Sequence, residues 1–276
     1  MDGSREPEAA AGMDALLPPA MALKAEAAGV RKAQMDLPRL FVLAVLAGAF
    51  IALGAAFATT AATGAGSLPF GLGRVLVGCA FALGLLLVIV SGAELFTGNA
   101  LLVMAWAGGR IGTRALLRNW AVVLAGNACG AIATAWLVAA GAPERVANGE
   151  LVLTAVRVAN QKCELGFAAA LPLGILCNAL VCLAVWMSLS ARSVVDKLAA
   201  AVPPVVAFVA CGFEHSIANL YFVPYAWIVA PPGAQVPSAA DFLARNLLPV
   251  TIGNVLGGGV LVGVVYWFVY LRGRTR

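Results

Sequence analysis

Charge is scarce in these 276 residues. Asp, Glu, Lys and Arg together make up 11% of the chain, and histidine occurs once, at His215. So few charges exclude an ordinary soluble domain, in which about a quarter of residues are charged. An intramembrane enzyme would need a serine–histidine pair or an H-E-x-x-H zinc site, and a single histidine speaks against both. No enzyme, metal site or cofactor is therefore expected. The six cysteines form no C-x-x-C pair; most lie in apolar runs (Cys79, Cys129, Cys177, Cys182, Cys211) and read as small buried hydrophobes. No secretory signal is visible. What remains is 62% apolar, which calls for membrane spans, and the length allows six helices with short loops. The formal charge of +5 does not imply nucleic acid, because basic residues in a membrane chain mainly set orientation.

Residues 1–19 are small, polar and proline-bearing and read as a disordered cytoplasmic tail. Residues 20–36 carry Lys24, Glu26, Arg31 and Lys32 on one side and are expected to form an amphipathic surface helix. A channel domain then runs over 37–272, followed by a short tail, 273–276. Its apolar runs are 37–62, 70–106, 115–139, 165–189, 198–228 and 247–271, with mixed loops at 141–164 and 230–244. Two of these runs are long enough to be read either as broken single spans or as hairpins. Charge decides between them. Six spans with the N-terminus inside leave only Arg74, Arg145, Arg157, Lys162 and Arg245 outside, whereas eight would put Arg110, Arg114, Arg118, Arg192 and Lys197 on the wrong face.

The same two runs share a motif. Ser91–Asn99 reads S-G-A-E-L-F-T-G-N and Cys211–Asn219 reads C-G-F-E-H-S-I-A-N, so Gly92, Glu94 and Asn99 match Gly212, Glu214 and Asn219 at one constant offset. A second pair, G-N-x-x-G at Gly126 and at Gly253, follows in the same order. Each half is thus a plain helix, a broken helix and a helix with close-packing glycines. Three spans is an odd number, so the second half enters from the opposite side: an inverted repeat, about 37–141 and 165–272. The expected fold is an all-α bundle of six transmembrane helices in which the second and fifth are broken at mid-membrane.

Broken helices expose backbone polar groups, which membranes tolerate only where they are buried in protein or line water. Restarts near Gly98 and Ser216 would aim two positive helix ends at one point, suited to an anion. Thr97 and His215 can add donors there. His215 is either a satisfied core residue or, as an ionisable group in a mid-membrane break, a functional one that donates to an anion or passes a proton. Glu94 and Glu214 can accept from the N–H groups freed by their own loops, or take part in proton movement. The tryptophans near span ends, Trp106, Trp186, Trp227 and Trp267, read as interface anchors.

The two nine-residue motifs, together with L-C-N-A-L-V-C-L-A-V-W-M-S and R-N-L-L-P-V-T-I-G-N-V-L-G-G-G-V-L-V-G, resemble the signatures of the formate/nitrite transporter family, and of its formate channels in particular. The resemblance implies an aquaporin-like fold, a homopentamer with one pore per subunit, and a multi-pass place in the bacterial inner membrane with both termini cytoplasmic. It implies small monovalent anions and protons as the transported partners, with formate first and nitrite or hydrosulfide as alternatives. By position, Thr97, His215 and Asn178 become the central polar residues of the pore. Leu85, Leu95 and Phe96 become the cytoplasmic constriction, Phe81 and Phe208 the periplasmic one, and Lys162 a cation of the outer vestibule. Gly92, Glu94, Asn99, Gly212, Glu214 and Asn219 support the breaks. The C-E-L-G-F after Lys162 departs from the formate-channel pattern, and Glu164 there counts against anion attraction. A water- or ammonia-type pore would show twin N-P-A boxes or paired histidines, and neither is present.

Overall fold

In the computed structural model, which describes residues 15–273, the chain is all helix and turn. Helix α1 (Pro18–Gln34) is followed by α2 (Leu37–Ala62), α3 (Phe70–Ser91), a 3-10 turn (Gly98–Leu102) running into the short α4 (Val103–Ala107), and α5 (Thr113–Ala139). The second half holds α6 (Glu150–Glu164), α7 (Gly166–Ser190), α8 (Val194–Ala210), α9 (Ser216–Val229) and the long α10 (Ala239–Tyr270). Five of these, α2, α3, α5, α7 and α10, are long and apolar enough to cross a membrane. The pieces α8 and α9 make the sixth crossing, and Gly98–Ala107 completes the broken second one. In each of the five, at most half of the most apolar window is buried, so an apolar face is left for lipid or neighbours.

Local chemistry explains most boundaries. The Asp36 carboxylate caps α2 at the Arg39 N–H (3.1 Å), with Pro38 in the first turn. Ser193 and Asp196 form a capping box at the start of α8, and Ser238 caps α10. Both breaks begin at a glycine in the left-handed region, Gly92 (φ 78°) and Gly212 (φ 75°), where a side chain would be strained.

The halves pack alike. α2 lies against α3 and α5, and α7 against α8 and α10; α3 meets α8 and α5 meets α9 across the pseudo-symmetry. The G-N-x-x-G glycines make those approaches possible: a Cβ at Gly130 would collide with the Val45 carbonyl, and one at Gly257 with the Ile175 carbonyl.

Four sequence expectations need correction. The 141–164 loop contains a 15-residue helix, α6, whose Leu151, Ala155, Ala159 and Cys163 recur every four residues and are buried. Helix α1 is docked more than surface-bound: Met21, Ala22, Ala25, Gly29 and Ala33 are buried, and Lys24 Nζ donates to the Leu189 carbonyl (2.7 Å). Trp186 is buried against Tyr266 and Tyr270 and anchors no interface. Among the six unpaired cysteines, Cys79, Cys129 and Cys211 face outward and only Cys163, Cys177 and Cys182 are buried. The tail expected over 1–19 falls mostly outside the described residues, although Pro18 and Pro19 already belong to α1; residues 274–276 also lie outside them.

Candidate functional site

The two breaks are held by the same device. The Glu94 N–H donates to the Leu43 carbonyl (3.2 Å) and the Glu214 N–H to the Leu173 carbonyl (3.2 Å). The asparagines of the G-N-x-x-G pairs then clamp each loop. Asn127 donates to the Ala44 and Glu94 carbonyls (2.7 and 2.9 Å) and accepts from the Phe96 N–H (2.8 Å). Asn254 donates to the Gly174 and Glu214 carbonyls (2.8 and 3.0 Å) and accepts from the Ser216 N–H (3.0 Å). Every polar hydrogen of these buried amides is used, which satisfies groups that would each cost several kcal/mol if left bare in lipid, by the order of magnitude for unpaired polar groups.

At the meeting of the two breaks, Thr97 Oγ1 lies 3.0 Å from His215 Nε2, both buried. His215 is also the N-cap of α9: its Nδ1 accepts from the Ala218 N–H (3.2 Å). An accepting Nδ1 carries no proton, so in the neutral ring the proton sits on Nε2 and is donated to Thr97. The Thr97 hydroxyl hydrogen is then free to point elsewhere. The rings of Phe81 and Phe208 flank the imidazole, with centroids 6.4 and 6.0 Å from it, and pack edge to face with each other at 5.7 Å.

The glutamate carboxylates accept from side chains and not from the backbone N–H groups of their loops: each faces a lysine of a preceding helix and the asparagine that ends its own break motif. Lys32 Nζ lies 3.0 Å from Glu94 Oε1, and Asn99 donates to Glu94 Oε2 (2.8 Å) and to Asn119 Oδ1 (2.9 Å). Lys162 Nζ lies 3.0 Å from Glu214 Oε1, and Asn219 donates to Glu214 Oε2 (2.7 Å) and to Asn246 Oδ1 (2.7 Å). Asn119 donates back to the Lys32 carbonyl (3.2 Å) and Asn246 to the Lys162 carbonyl (2.9 Å). Two contacts break the match, the first being that Asn246 also donates to Glu214 Oε2 (3.0 Å), which Asn119 does not do for Glu94. In the second, Asn99 Oδ1 accepts from Lys32 (2.8 Å), whereas Asn219 Oδ1 has no partner and Lys162 sits over the Phe222 ring, 5.2 Å from its centroid.

Each lysine–glutamate pair borders a cavity. One, of about 250 Å³, is lined by Lys162, Glu214, Arg74, Phe81, Phe208 and His215 among others. The other, of about 310 Å³, is lined by Lys32, Glu94, Lys24, Lys197, Leu85 and Leu95 among others. Among the described residues none lines both: His215 lines the first and Gly98 the second, while Thr97, between Phe96 and Gly98 in the chain, is fully buried and lines neither. Phe96 borders neither cavity; its ring packs edge-on against Trp120, 6.5 Å between centroids. Asn178 also borders neither, and is fully buried behind the Thr97 peptide. Lys32, Asn119 and Asn246 were not singled out from the sequence, and Asn127 and Asn254 only for the glycines beside them. The signal was present: an asparagine repeated in matching apolar spans has to be satisfied by something.

Comparison with known proteins agrees with this architecture. The family described as formate/nitrite transporter matches residues 19–268. The chain is 44% identical over 273 residues to the formate channel FocA of Escherichia coli (strain K12), covering 94% of this chain and 96% of that one. A solved structure described as a pentameric formate channel with formate bound superposes with a TM-score of 0.80 at 42% identity, covering 86% of this chain and 98% of that one. An FNT family ion channel superposes with a TM-score of 0.81 at 29% identity, covering 91% and 98%.

Proposed function

This chain belongs to the formate/nitrite transporter family, and from that premise we propose that it is an inner-membrane channel that carries formate and similar small weak-acid anions, with proton transfer linked to the Thr97–His215 pair. One observation carries the reading. A buried hydroxyl–imidazole pair reaches one cavity through His215 and adjoins the other at Gly98, the residue after Thr97, and each cavity is bordered by cationic side chains. An anion leaving water for an apolar constriction loses hydration that costs far more than a single contact returns. The charges of the lysine–glutamate pairs cancel, so Arg74 in one cavity and Lys24 and Lys197 in the other raise its local concentration, and the helix restarts at Gly98 and Ser216 oppose its charge in the constriction. Their first N–H groups are partly taken by Asn127, Asn254 and His215 itself, so the helix ends act mainly through their field.

In this proposal Phe81 and Phe208 close the path toward the periplasm, with Lys162 in the outer cavity. Leu85 and Leu95 close it toward the cytoplasm, with Lys32 in the inner cavity. Basic residues concentrated on the Lys32 side put both termini in the cytoplasm. The pentamer described for the solved relative is the proposed assembly here too, each subunit with its own path. Uptake of labelled formate, nitrite and hydrosulfide into proteoliposomes over a pH series tests the reading. Saturable, pH-dependent formate flux above protein-free vesicles is expected; flux equal to theirs for all three would overturn it.

A further inference from the structure

The Thr97 carbonyl is gripped from behind by two side chains of one helix face. On α7, Asn178 Nδ2 donates to it (3.1 Å), and Cys182 Sγ, one turn on, donates to it as well (3.3 Å). The other hydrogen of the Asn178 amide goes to the Asn254 carbonyl (2.5 Å). Asn254 is the clamp of the second break, so a continuous chain of hydrogen bonds runs from the Thr97 peptide through Asn178 and Asn254 to the backbone at Glu214 and Ser216. Thr97, Asn178, Cys182 and Asn254 are all fully buried. Gly258 of α10 closes the back of the group, since a Cβ there would run into Asn178 Nδ2 and Cys182 Sγ.

An anion needs donors, and this group has none to spare. Both Asn178 N–H bonds end on carbonyls, the single thiol hydrogen ends on the same Thr97 carbonyl as one of them, and only the acceptor Oδ1 of Asn178 is left over. The device is also confined to one half. The place that corresponds to Asn178 in α2 is Gly48, where a Cβ would collide with the Asn127 carbonyl, so nothing there can bridge the two breaks. We propose that Asn178 and Cys182 are positioning residues for Thr97: they fix its peptide relative to the second break, keep its hydroxyl against His215, and never touch the passing anion.

The inference rests on the proposed function, because it presumes that the anion passes at Thr97. It is tested by double-mutant cycles in proteoliposomes, with formate flux measured across a pH series. If Asn178 acts through Thr97, N178A lowers flux about tenfold, as the loss of one or two buried hydrogen bonds implies, and moves the pH profile to that of T97V. In the T97V background the same change then has little further effect. C182A moves flux and profile in the same direction by about threefold, and C182S, which keeps a donor, restores both. The proposal is overturned if N178A costs as much with T97V as without it, if flux falls while the pH profile stays put, or if C182S fails to recover what C182A lost. Should N178A fail to assemble, the C182A, C182S and T97V cycle decides by the same criteria. Absence of formate flux in the unmutated protein would instead overturn the proposed function.

Discussion

Lys32 and Lys162 hold equivalent places in the two halves of the chain, each with its ammonium 3.0 Å from a buried glutamate carboxylate. Each comes from an amphipathic helix, α1 or α6, that precedes the first span of its half. Their separation equals that of Leu43 from Leu173, the carbonyls that receive the glutamate N–H groups. The repeated unit is thus four elements long, a docked helix and three crossings.

The pair makes an asymmetric prediction for stability and flux. K162M leaves the Glu214 carboxyl buried and without its cation, and breaking a buried ion pair in this way costs about 3–5 kcal/mol. A large drop in thermal midpoint in detergent is expected, together with loss of formate flux. K162M/E214Q should regain most of the stability and none of the flux. A single variant as stable as the double one would remove the pair from the account.

In the proposed path Phe208 is a gate, and Phe96, which the resemblance placed at the cytoplasmic constriction, is assigned to the core. The Phe208 ring borders a cavity and packs on His215, so F208A should raise formate flux several-fold and admit larger carboxylates. Phe96 packs on Trp120 away from both cavities, and F96A should mainly destabilise, by about 3–5 kcal/mol. Thermal unfolding and flux, measured on both variants, tell the roles apart; greater flux in F96A than in F208A would reverse them.

His215 has two roles that substitutions can divide. Asparagine is a good N-cap and phenylalanine is none, so H215N should keep α9 intact while H215F loses about 1 kcal/mol. Neither side chain titrates, and both variants should lose the pH dependence of transport, with H215N retaining downhill efflux better than uptake. Wild-type pH dependence in both would leave His215 the capping role alone.

Topology follows from the charge pattern. In a background without cysteine, R114C should resist an impermeant thiol reagent applied to intact cells, and Q235C should react. Both positions are exposed in the structure. The reverse result would turn the molecule over in the membrane.

Much of this was legible in the sequence. Glycine followed by glutamate inside an apolar run marked both breaks, and the restarts at Gly98 and Ser216 fall where the motifs put them. The function of the G-N-x-x-G asparagines was not legible, because glycine spacing reports how closely helices approach and not which carbonyls they meet. Lys32 was hidden by its context. It precedes the first span on a helix whose charges read as solvent-facing, and only the fold brings it to Glu94, far along the chain. Helix α6 was obscured by Arg157, Lys162 and Glu164, which outweighed its four-residue apolar repeat in a reading guided by polarity.

The equivalence of the two lysine cavities has a bearing on direction. In the proposed path an anion arriving from either face meets a lysine–glutamate pair, then large apolar side chains, then the same hydroxyl and imidazole. A profile assembled from two opposed copies of one module contains no ratchet. Net flow through such a path reverses sign whenever the combined electrochemical gradient of anion and proton does, and the same machinery then serves export and import. Any preference for one direction has to come from the few places where the copies differ, such as the exchange of His215 for Leu95 at the matching position of the other break.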